Sequence, residues 1–117
     1  FGLLIGNTDR HAGNLSFFFA DGRVSALAPV YDMLPMAYAV RGGEFATPLL
    51  TPPVPTPRFV SIWRRAWPLA TEFWGHVADD DEIHEDLRRA AQANRVALEQ
   101  SAPSLDRLPP DPAPPGA

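Results

Sequence analysis

At 117 residues and 45% hydrophobic content, the chain has room for one small domain or for part of a larger one. A net charge of −4 and a pI near 5.2 give no electrostatic ground for direct nucleic-acid binding, which needs clustered basic residues. The absence of Cys excludes disulfides and thiolate metal sites and is compatible with a reducing cytoplasm, and no apolar run approaches the roughly 20 residues of a membrane helix.

The opening run Phe1 to Gly6 is apolar and ends at Gly and Asn, so it reads as the tail of a buried helix. Asn7 to Asn14 has the polar, Gly-containing makeup of a loop. Two β-favouring runs follow, Leu15 to Ala20 and Val24 to Ala28, flanking the strong hairpin signal Asp21-Gly22. A tight antiparallel turn brings the far ends of its strands together, so the hairpin places Asn14 beside Pro29 to Asp32.

Met33 to Val40 is apolar and reads as a short helix or a loop. Five Pro between Pro48 and Pro57 forbid regular structure, so Arg41 to Pro57 reads as a long irregular connection. From Phe59 to about 78, apolar residues including Ile62, Trp63, Trp67, Phe73 and Trp74 recur at helical spacing, with Pro68 inside the pattern. Burial of large side chains, at about 1.5–3 kcal/mol each, outweighs the roughly 3 kcal/mol of an interior Pro, so a kinked helix is expected.

The acidic cluster Asp79 to Asp81 suits the start of a second helix, about 82–100, with Ile83, Leu87, Ala91, Asn94 and Leu98 on one side. Six Pro among residues 103–117 read as a disordered tail. The fold class expected is α+β and mainly helical, with one β-hairpin (about 15–28) and two long C-terminal helices. Residues 1–102 would form one unit.

Chemistry concentrates between Gly6 and Pro35. Asp9 and Asn14 are five apart in a loop, the Asp-x-x-x-x-Asn spacing of a kinase catalytic loop. Phosphoryl transfer needs a carboxylate to orient an attacking hydroxyl and take its proton, and an amide oxygen nearby for Mg²⁺. A second carboxylate must reach that hard cation from another segment, and the hairpin delivers Asp32. Asp and Asn in one loop are ordinary turn chemistry by themselves. The order of loop, hairpin and returning Asp is what points to a phosphotransferase.

Asn7-Thr8-Asp9-Arg10-His11-Ala12-Gly13-Asn14, followed by Leu27-Ala28-Pro29-Val30-Tyr31-Asp32-Met33-Leu34, resembles the C-terminal catalytic part of HipA-like serine/threonine kinases, the toxins of bacterial toxin–antitoxin pairs. The resemblance is specific over Gly6 to Tyr38 and looser through the later helices. It implies a kinase C-lobe transferring the ATP γ-phosphoryl group to a Ser or Thr hydroxyl of a protein, with Asp9 as catalytic base and Asn14 and Asp32 as Mg²⁺ ligands. It places His11 beside the site, in an orienting or a loop-bracing role. An antitoxin partner and a cytoplasmic setting are implied with it.

The same loop is also similar to those of phosphoinositide kinases and aminoglycoside-type phosphotransferases, although Tyr31-Asp32-Met33 after Ala28-Pro29 favours the HipA-like reading. All ten basic residues are Arg, and there is no Gly-rich phosphate loop. The expectation is therefore a C-lobe whose ATP-gripping N-lobe lies elsewhere, in cis or in trans, and which is inactive alone. A non-catalytic remnant or binding module is the alternative of a different class. The pair His76 and His84 around the acidic run reads as a solvated helix junction, and the Trp stripe as core.

Overall fold

A computed structural model describes residues 1–113. Its architecture is α+β: two antiparallel hairpins, β1 (Phe17–Ala20) with β2 (Arg23–Leu27) and β3 (Val40–Arg41) with β4 (Glu44–Phe45), then helices α1 (Val60–Asp79), α2 (Glu85–Ser101) and the short α3 (Pro103–Asp106). No helix among the described residues is long and apolar enough to cross a membrane.

The core forms where the α1–α2 pair meets the start of the chain. Ala66, Trp67, Ala70 and Trp74 of α1 are buried against Ala91 and Leu98 of α2 and against Leu4 and Ile5. Both buried indoles find acceptors, as a buried N–H must. Trp67 Nε1 donates to the Leu98 carbonyl at 2.8 Å and Trp74 Nε1 to the Leu4 carbonyl at 3.0 Å. The second bond fixes the segment leading into the polar loop onto the C-terminal half of α1.

Several expectations need correcting in detail. Phe1 to Gly6 contains a single 3₁₀ turn, Gly2–Ile5, ended by Gly6 at φ 72°. Helix α1 runs unbroken through Pro68, but its stripe is shifted: Phe59 and Ile62, assigned to the inner face, are 47% and 58% exposed. The acidic cluster does not cap α2; His84 does, its Nδ1 accepting the Asp86 N–H at 3.2 Å. The reason is length, because Asp80 to Ile83 form a turn of their own before α2 begins.

Within the connection read as irregular, Gly42 and Gly43 turn the small β3–β4 hairpin, both at positive φ. The residues read as a disordered tail are held over much of their described length. Leu105 is buried, Arg64 Nη2 donates to the carbonyls of Leu105 (3.1 Å) and Leu108 (3.0 Å), and Asp111 accepts from Ser61. Two leucines among the prolines supply the apolar anchor that composition alone hides; residues 114–117 lie outside the described residues.

Candidate functional site

The β1–β2 hairpin turns at Asp21 and Gly22, whose φ values of 51° and 75° suit the type I′ geometry that Asp-Gly favours. Pairing runs Phe17 with Leu27, Phe18 with Ala26, Phe19 with Val24 and Ala20 with Arg23. The register shift after Phe18 leaves Ser25 as the extra residue, its Oγ donating to the Phe18 carbonyl at 3.1 Å. Beyond the strands the ladder extends by one bond, Ala28 N–H to the Ser16 carbonyl at 2.8 Å.

This pairing carries the polar loop and the Asp32 segment to the same end of the hairpin, as its turn requires. Tyr31 bridges them: its hydroxyl donates to the Gly13 carbonyl at 2.7 Å and lies 3.2 Å from Ser16 Oγ. Asn7 makes the second link. It is buried, 3% exposed, and its Nδ2 faces the Asp32 carbonyl at 3.4 Å and Met33 Sδ at 3.3 Å. Its Oδ1 accepts the Asp9 N–H at 2.9 Å and its carbonyl accepts from Arg10 Nε at 2.9 Å.

Each expected site residue can now be placed. Asp9 and Asn14 are joined across the loop, Asn14 Nδ2 donating to the Asp9 carbonyl at 3.3 Å. That bond uses the amide's donor and leaves its oxygen free. His11 caps the short turn Ala12–Asn14, its Nδ1 accepting the Gly13 N–H at 3.1 Å. Of its two suggested roles, this contact is the loop brace.

Asp32 adopts φ 52°, a left-handed conformation uncommon outside Gly and tolerated best by Asp and Asn. Strain of this kind gathers at functional sites. Among the described residues the Asp9 and Asp32 carboxylates and the Asn14 amide oxygen make no hydrogen bond or ion pair. These are exposed or half-exposed hard oxygen donors, the chemistry that suits Mg²⁺, which keeps several waters and needs only one or two protein ligands.

No group of three or more His, Asp or Glu able to hold a metal occurs among the described residues; His76 lies 3.4 Å from Glu72, and His84 accepts the Asp86 N–H. Asn7 and Tyr31 escaped the reading of the sequence as site residues. A buried Asn in a polar loop has no periodicity to mark it, and the aromatic just before Asp32 was the available signal for Tyr31.

Fold and loop together describe an α+β unit in which a polar loop and the segment carrying Asp32 meet at one end of a hairpin. The chain belongs to the family of the HipA-like C-terminal domain, whose model matches residues 1–101. It is also 40% identical over 109 residues, 92% of its length, to the protein named Toxin YjjJ from Escherichia coli (strain K12). The chain spans 24% of that relative's length. No solved structure matches.

Proposed function

We propose that this chain is the base-bearing and metal-bearing part of a HipA-like kinase that transfers the ATP γ-phosphoryl group to a Ser or Thr hydroxyl of a protein. The observation that carries the reading is the double tie between loop and hairpin end, Tyr31 to Gly13 and Asn7 to Asp32, in a member of this family. It holds the segments bearing Asp9, Asn14 and Asp32 in one frame while leaving their oxygens unpaired.

In this reading Asp9 orients the attacking hydroxyl and receives its proton. The Asn14 amide oxygen and an Asp32 carboxylate oxygen would hold Mg²⁺, which when bound supplies charge neutralisation for the phosphates. His11 keeps the loop closed between base and amide. ATP would be gripped by a further lobe, because the chain contains no Lys to pair its phosphates. Kinship with a protein named as a toxin supports a role as the toxin of a toxin–antitoxin pair, with an antitoxin as partner and the cytoplasm as setting.

The test is phosphoryl transfer by a longer protein carrying this stretch together with a nucleotide-gripping lobe. Asp9→Asn should lower the rate by at least about 10²-fold, the lower end for a positioned base. A wild-type rate in that variant overturns the assignment. Labelling of a lipid or small-molecule hydroxyl instead of a protein would redirect the substrate class, and silence of the complete protein would leave a binding module. The 117-residue chain alone should show no autophosphorylation.

A further inference from the structure

A broad concavity lies away from the loop and hairpin, on the flank where α1, α2 and α3 meet. Its volume is about 930 Å³. The stripe of α1 from Arg64 through Trp67, Pro68, Glu72 and Gly75 to Asp79 forms one side, with Glu99 of α2 and Asp106 of α3 opposite. At 1.5 Å per residue, that stretch of α1 makes a trough about 22 Å long. An extended peptide of roughly seven residues has this length.

The charge in the trough is uneven. Glu72, Asp79, Glu99 and Asp106 contribute four carboxylates. The two guanidiniums facing them are each engaged through one nitrogen, Arg64 Nη2 by the Leu105 and Leu108 carbonyls and Arg95 Nε by Glu99 at 2.9 Å, and His76, which also lines the trough, lies 3.4 Å from Glu72. The accessible apolar lining comes from Pro68, Ala102 and Pro103, Trp67 and Leu105 being buried. With four carboxylates against two guanidiniums, such a surface favours a cationic ligand over an acidic one.

We propose that this trough docks a basic, amphipathic segment of a protein partner, with arginines or lysines on the carboxylates and an aliphatic or aromatic side chain on the floor. The surface is independent of the phosphotransfer reading. Gly75 supplies a clean way to close it. A Cβ there would meet nothing nearer than Arg95 Cδ at 3.9 Å, and any residue but Pro improves on Gly as a helix former.

The experiment measures binding of a fluorescein-labelled peptide of about ten residues, with arginines spaced among leucine and alanine, to the 117-residue chain by fluorescence anisotropy. A counterpart with every Arg replaced by Glu serves as control. Saturable binding that weakens with salt is expected, with no binding of the acidic peptide. Gly75→Trp, and separately the exposed pair Glu72→Lys with Asp106→Lys, should each raise Kd by at least about tenfold, which corresponds to 1.4 kcal/mol, while the circular dichroism spectrum is unchanged. Equal binding of both peptides, or no effect of either variant on Kd, overturns the proposal. Self-association that Gly75→Trp abolishes would assign the trough to a second copy of the chain and overturn it as well.

Discussion

The Tyr31 hydroxyl donates to the Gly13 carbonyl at 2.7 Å, across 18 positions of sequence. It ties the polar loop to the residue preceding Asp32, whose left-handed backbone (φ 52°) nothing in its own sequence enforces. Removing this hydroxyl should loosen the loop against the hairpin end without unfolding either. A net hydrogen bond contributes about 0.5–1.5 kcal/mol, so on the proposed metal site Tyr31→Phe should weaken Mg²⁺ binding by up to about tenfold. Isothermal titration of the two proteins checks this, and unchanged affinity would show that the tie does not organise the ligands.

Gly6 stands at φ 72°, and a Cβ added there would lie 2.9 Å from Tyr38 Cε2. The ring cannot retreat easily, because Tyr38 is buried and packs edge-on against Trp74 with centroids 5.1 Å apart. Gly6→Ala should therefore lower stability by more than the roughly 1–2 kcal/mol of the left-handed backbone alone. A thermal melt checks it. Loss of Tyr38 packing would appear in the near-ultraviolet circular dichroism.

Much of this arrangement was legible in the sequence, for identifiable reasons. Asp21-Gly22 between β-favouring runs specified the hairpin because few residues accept two successive positive φ values, and the hairpin in turn brings the polar loop to the segment of Asp32, where Tyr31 reaches Gly13. The α1 stripe was legible by period, yet its outer end was misjudged: Phe59 and Ile62 satisfy the spacing but lie on the side where no element covers them.

What stayed hidden depends on partners far away in sequence. Asn94 read as one polar residue in the α2 stripe, and its burial makes sense only with Tyr38 and Leu50 in place. The anchoring of residues 105–111 depends likewise on Arg64 and Ser61, which no local pattern links to a Pro-rich segment.

Asn94 is 2% exposed, donating from Nδ2 to the Tyr38 hydroxyl at 2.7 Å and accepting the Leu50 N–H at 3.3 Å. Asn94→Leu keeps the number of side-chain heavy atoms but strands both partners, which should cost about 2–6 kcal/mol at roughly 1–3 kcal/mol for each stranded group. Chemical denaturation measures it. Burial pushes the Tyr38 hydroxyl above its ordinary value, an effect the Asn94 bond partly opposes. A raised folded value means that this contribution to stability is complete below about pH 10 and lost as the pH climbs through the folded value. Tyr38→Phe should flatten that alkaline limb of the stability curve.

Asp111 reaches back to the start of α1, where Ser61 donates to it from both N–H and Oγ. These bonds, the side-chain one foremost, hold its carboxyl below the usual carboxylate range, with Arg64 contributing in the same direction. Because the folded value is depressed, docking of the segment is fully supported above the ordinary carboxylate value of about 3.9. It weakens as the pH falls from there through the lowered value. Hydrogen exchange at the Ser61 amide, followed downward from neutral pH and corrected for the intrinsic rate, should lose protection in that window. Asp111→Asn should show low protection at every pH, while Leu105 keeps α3 in place in both proteins because its anchorage is apolar. Equal protection in the two proteins at neutral pH would assign the docking to Leu105 and Arg64 alone.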